Sequence, residues 1–178
     1  VTKVVMSPGI KAESMTQWFG RMGNLEDVSD VCIPEGVTST NRLFDACPKI
    51  TSLPAALRLP VSVTDAANMF NGCAELKSLP TSFAIPSNSQ LTVMQGMFAN
   101  CPKLESLPAG VSIPKTVTNA SSLCAGCTSL ESLPEAFAIP KDVTSINIQD
   151  MFSDCPRLMT LPKNFTMPEA AKADNMFH

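Results

Sequence analysis

Five cysteines, Cys47, Cys73, Cys101, Cys127 and Cys155, stand 26, 28, 26 and 28 residues apart, and their surroundings recur with them. Three residues after each comes Ile50, Leu76, Leu104, Leu130 or Leu158. Three further on comes Leu53, Leu79, Leu107, Leu133 or Leu161, each followed by proline. A bulky apolar residue follows at Leu57, Phe83, Val111, Phe137 and Phe165. An apolar–Pro pair closes each segment, as in Ile85-Pro86 and Ile113-Pro114. An aromatic precedes four of the five cysteines by three (Phe44, Phe70, Phe98, Phe152), and Cys124 takes that place in the remaining unit. Self-similarity at this period signals a solenoid or a propeller, and a propeller blade needs roughly 40 residues or more. A stack of one turn per repeat is the form that fits.

The period predicts an α/β solenoid of about six to seven repeats of ~26 residues. The segment Leu104-Glu105-Ser106-Leu107, bounded by prolines, is too short for a helix and reads as a strand that bends at Pro108. Stacked copies would make a parallel sheet with strands ~4.8 Å apart. Across the stack, Thr64 or Asp65 can cap a short helical or 3₁₀ turn, and Gly72 can end it. One repeat cannot bury its own apolar face; stacking does so. The expected organisation is a single domain over residues 1–178. It has a degenerate first repeat (1–34, with Trp18-Phe19 at the aromatic position), regular repeats (35–168) and the start of an incomplete repeat (169–178). Lone Trp18 is expected to cover the open core at the first repeat. At the other end, the unit stops at Phe177-His178, before its cysteine and leucines. The expectation there is a chain that continues, or self-association through an uncapped end.

The stretches MFNGCAELKSLP (69–80), MFANCPKLESLP (97–108) and MFSDCPRLMTLP (151–162), with Val-Thr at 63–64, 117–118 and 143–144, resemble the BspA-type leucine-rich repeat of bacterial surface proteins. The resemblance spans nearly the whole chain. Proline stands where that repeat usually has a polar or acidic residue after the second leucine. The resemblance implies a right-handed leucine-rich-repeat stack. It also implies an extracellular or cell-surface protein that binds a protein ligand, such as a host or extracellular-matrix protein. It implies no active site.

Composition removes other classes. Net charge is −3 with no basic block, which argues against nucleic acid. No apolar run approaches the ~18 residues of a membrane helix, so no membrane insertion is expected. The one histidine is His178, which leaves histidine-based acid–base chemistry and histidine-rich metal sites without their residues. No cofactor loop is present, and the serine column (Ser52, Ser78, Ser106, Ser132, with Thr160) has no base beside it, so no nucleophile is expected. That column reads as a small-residue ladder between rungs.

The cysteines read as buried free thiols at a core position, where Cys packs as a small apolar residue. Cys124-Ala-Gly-Cys127 has the spacing of a redox pair or half a zinc site, but both residues fall on ladder positions and no second CxxC exists. Cys32 is the outlier. Glu105 and Glu131 on adjacent rungs could act as acid and base or hold Ca²⁺, against the plainer reading of a solvated strand face relieved by Lys103. The basic column Lys49, Lys103 and Arg157 reads as a solvated edge. The column after the first leucine, Glu26, Thr51, Lys77, Glu105, Glu131 and Met159, varies from repeat to repeat, as an exposed binding column would. A non-catalytic protein-binding or adhesion domain is therefore the leading expectation. A spacer or stalk comes second, and glycan binding ranks lower because Tyr is absent and the Phe residues mostly occupy core columns.

Overall fold

The computed structural model describes residues 1–7, 9–143, 145–169 and 171–178. Thr144, in the last of the quoted Val-Thr pairs, lies outside the described residues. The chain stacks repeat on repeat, and the inner columns fuse into one hydrophobic cluster running from Met15 to Met176.

Two short strands are regular enough to name, β1 (Ile146–Asn147) and β2 (Ala171–Lys172). They pair in parallel with Ile146 opposite Ala171. They continue a column of parallel bridges that climbs the stack through Ser14, Ser39, Asp65, Val93, Asn119 and Asn147. Along this side the amides of Ala66, Asn68, Phe70 and Gly72 donate to the carbonyls of Val93, Gln95, Met97 and Ala99 in the next repeat at 2.8–2.9 Å. The carbonyls of Asp65, Ala67, Met69 and Asn71 accept from Thr40, Arg42, Phe44 and Ala46 in the previous one at 2.7–2.9 Å. Every second peptide group thus faces a neighbouring repeat, as in a parallel ladder.

This corrects the expected helical or 3₁₀ turn between Thr64 and Gly72. Among the described residues the segment is a run of hydrogen-bonded β-turns, and no helix is present. Amides already given to the adjoining repeat are lost to i→i−4 bonding. Two left-handed residues per repeat, four apart, also break any helix: Arg42 and Ala46, Asn68 and Gly72, Gly96 and Asn100, Ser122 and Gly126. The residue foreseen as a helix cap does cap, but it caps a turn. Asp65 Oδ1 accepts the Ala67 amide at 2.9 Å, and Asn119 and Asn147 do the same for Ser121 and Gln149 at 3.1 Å.

The expected sheet is also thinner than foreseen. On the leucine–proline side, parallel pairing amounts to isolated bridges joining Ser106, Ser132 and Thr160, with the Glu131 amide on the Glu105 carbonyl at 3.1 Å. Proline after the second leucine removes a donor in each of the five regular repeats, so pairing cannot lengthen there.

The interior follows the columns. Phe44, Phe70 and Phe98 are fully buried, and with Phe19 they stack face to face at 5.6–5.8 Å between centroids. Cys124 interrupts the stack, which resumes with Phe152 on Phe177 at 5.7 Å. Trp18 stands edge-on to Phe19 at 6.4 Å and is 38% exposed, so it covers the first rung only in part.

Candidate surface site

The inner repeats each place two side chains outward between two buried aliphatic residues. Leu104 and Leu107 turn into the core while Glu105 and Ser106 face solvent, and the same holds one repeat on for Leu130, Glu131, Ser132 and Leu133. All six residues of the varying column, Glu26, Thr51, Lys77, Glu105, Glu131 and Met159, are exposed, Met159 by 87%. Ser52, Ser78, Ser106, Ser132 and Thr160 are exposed beside them.

The basic column organises this face, though not in the foreseen way. Lys103 bonds Glu75 at 2.5 Å rather than relieving Glu105 and Glu131. Arg157 pairs with Glu131, and Lys49 reaches Asn24 at 2.9 Å and Glu26 at 3.8 Å. Each cation therefore reaches back one repeat. Opposite charges near one repeat length apart were the signal, and the repeat alignment contained it. Among the described residues Lys77 and Glu105 form no ion pair, which leaves their charges available to a partner. In the first repeat Lys3 bonds Asp27 at 2.9 Å and lies 3.5 Å from Asp30. Hydrogen bonds from Ser29, then from Lys3, hold the Asp27 carboxyl well below the usual carboxylate range.

The opposite face carries a second ordered set that the sequence reading did not isolate. The hydroxyls of Thr38, Thr64, Thr92 and Thr118 each donate to a carbonyl one repeat back: Glu13, Thr38, Thr64 and Thr92 at 2.9–3.4 Å. Side-chain bonds join Asn41 to Asp65 at 2.9 Å and Asn119 to Gln95 at 3.1 Å. The Val-Thr recurrence was visible, but a hydroxyl spent on the preceding rung has no signature in one repeat alone. These groups satisfy one another.

Six of the seven cysteines are buried, Cys32 is exposed, and all seven are free thiols. The column has a polar role beyond filling space. Cys47, Cys73, Cys101, Cys127 and Cys155 donate their S–H to the carbonyls of Phe19, Phe44, Phe70, Phe98 and Cys124 at 2.9–3.4 Å. The acceptor is always the residue at the aromatic position of the preceding repeat. Burial pushes the Cys73 and Cys101 thiols up, and raises Cys155 to about 12. A hydrogen bond with Cys127, and then burial, pushes Cys124 well up. Among the described residues no cluster of metal-ligating side chains occurs.

A hollow of about 390 Å³ lies at the last rung between Phe152, Asp154, Cys155, Leu158 and Phe177. Phe177, in its wall, is exposed by 54% and Leu161 of the last leucine pair by 41%, whereas their counterparts in inner repeats are covered by the next turn. Among the described residues no helix is long and apolar enough to cross a membrane.

Comparison with solved structures finds the same architecture. A leucine rich repeat protein of T. pallidum superposes with a TM-score of 0.62 at 21% identity, over 97% of this chain and 73% of that one. A leucine-rich repeat protein from Bacteroides ovatus gives 0.53 at 21% identity, over 95% of this chain and 46% of that one. No curated protein matches the sequence. The profile of the BspA type leucine rich repeat region matches in six copies, over residues 19–131 and 55–169. With the repeat, the stack and that match in agreement, the chain belongs to the BspA type leucine rich repeat family.

Proposed function

We propose that the chain is a non-catalytic, surface-exposed binding domain whose leucine–proline face recognises a protein ligand. The observation that carries this reading is the column Glu26, Thr51, Lys77, Glu105, Glu131 and Met159. It is exposed in every repeat and chemically different from one repeat to the next, while the residues flanking it are nearly constant. Selection for a stack alone would favour a uniform solvated column; recognition requires variety at regular spacing. Lys77 and Glu105 sit at the middle of the column on adjacent rungs and offer one charge of each sign. Membership of a repeat family whose members are commonly surface proteins supports an extracellular setting and a host or matrix protein as partner. Residues 1–178 act as one unit in this reading, supported by the single hydrophobic cluster that crosses every repeat. The exposed apolar residues Leu161, Met167 and Phe177 offer a separate surface for a second copy.

A pull-down against host-cell surface and matrix proteins tests the proposal. The double variant Lys77→Glu/Glu105→Lys should weaken any specific capture at least about tenfold while leaving the thermal transition in place. Clean failure across the panel would favour the alternative, a spacer or stalk within a longer surface protein. That reading draws its own support from the regular ladders, which suit a stiff rod equally well. Glycan binding is less favoured because the Phe residues are mostly buried in the stack.

A further inference from the structure

Two cysteines occupy the only repeat in which the aromatic column is broken, and the surface-binding reading gives them no task. Cys124-Ala125-Gly126-Cys127 forms a β-turn closed by the Cys127 amide on the Cys124 carbonyl at 3.1 Å, with Gly126 at φ +74° in its third position. A turn of this kind holds its end residues less than about 7 Å apart at Cα, within the span a disulfide bridges. Both side chains are fully buried on the core side of that turn. The other cysteine neighbours differ. Cys101, Cys127 and Cys155 lie on successive rungs with parallel side chains, and each gives its S–H to a different carbonyl. Cys32 is exposed and lies outside the column.

We propose that Cys124 and Cys127 are an oxidisable pair that closes to a disulfide within one turn of the stack when the protein meets hydrogen peroxide. Both thiols are buried, so the stack first opens locally at this turn. The Cys127 thiol then gives up its proton and attacks the peroxide; the O–O bond breaks, an S–O bond forms, and the departing hydroxide takes up that proton and leaves as water. The Cys124 sulfur then displaces the hydroxyl from the sulfenic acid: S–S forms, S–O breaks, and a second water leaves. Two thiols and one peroxide give one disulfide and two waters, the two electrons passing from sulfur to oxygen. Closure sacrifices the Cys127 bond to the Phe98 carbonyl. It leaves the backbone ladder through Cys124 and Gly126 intact, because those amides bond Met151 and Ser153.

The test uses the whole chain treated with hydrogen peroxide, quenched and digested with trypsin under non-reducing conditions. Residues 116–141 form one tryptic peptide that contains Cys124, Cys127 and no other cysteine. The expected result is loss of two hydrogens from that peptide and two fewer titratable thiols among the six buried ones, after Cys32 has reacted. Neither Cys127→Ser nor Cys124→Phe should show that loss, and the second variant restores the aromatic column, so a cooperative melt certifies its fold. Survival of both thiols at a dose that consumes Cys32 would overturn the proposal. So would a bond from Cys127 to Cys101 or Cys155, or irreversible oxidation of the peptide without a disulfide.

Discussion

The two long sides of the stack meet the same requirement, joining each repeat to the next, by different means. On the Val-Thr side, alternate peptide groups from Thr40 through Ala46, from Ala66 through Gly72 and at the same place in later repeats bond to the adjoining repeats, and threonine hydroxyls and amide side chains add a second set of links. On the leucine–proline side, backbone pairing shrinks to single bridges, and leucines and exposed ion pairs make up the contact. The first arrangement commits nearly every polar group to the fold. The second leaves two side chains per repeat free to differ, and that is where sequence variety collects. A stiff spine behind a permissive face is how a repeat can change its surface without changing its shape.

Substitutions on the spine should cost most. Phe70 stacks on Phe44 and Phe98 and meets Phe83 edge-on, so Phe70→Ala is expected to destabilise by about 3–5 kcal/mol in denaturant unfolding. A cost near 1 kcal/mol would place the main support elsewhere.

Alkaline pH probes the cysteine column. Buried thiols whose pKa lies above the ordinary value of 9.0 are neutral in both folded and unfolded chains below that pH. Above it the unfolded chain ionises first, so stability should fall as pH rises from 9 toward 12, where Cys155 titrates in the folded protein. Urea midpoints across that range check this. A flat profile would mean the thiols are accessible.

The next effect has the opposite sign. Thr40 is fully buried, and its hydroxyl finds no hydrogen-bond partner among the described residues. The equivalent residues Met15, Ala66, Met94, Ala120 and Ile148 are apolar. Thr40→Val should raise stability by about 1 kcal/mol, read as a higher urea midpoint. The smallest change belongs to the permissive face. Lys103→Ala breaks an ion pair whose two members are each about half exposed, and should alter stability by less than about 0.5 kcal/mol.

The stack was legible in the sequence because its cause is repetitive. One residue type per column, Cys101 under Cys127 or Leu104 under Leu130, can only mean that copies lie on one another. The outward column was legible for the converse reason, since Glu26, Thr51 and Lys77 vary where their neighbours do not. The side on which the backbone pairs was not legible. Leu-Glu-Ser-Leu looks like a strand and Thr-Asp-Ala-Ala-Asn like the opening of a helix. The pairing is decided by which amides a neighbouring copy takes, and by left-handed residues such as Ala46 and Ser122 that local preference does not announce. The reach of Lys103 to Glu75 joins two copies, so it shows only when the repeats are aligned on one another and not within either one.

Native-state hydrogen exchange tests the spine most directly. The amides of Asn68, Phe70 and Gly72, given to Gln95, Met97 and Ala99, should exchange only through near-global unfolding, and at least about tenfold more slowly than those of Glu105 and Glu131 on the opposite side. Equal protection on the two sides, or faster exchange at Asn68, Phe70 and Gly72, would contradict the division into spine and face.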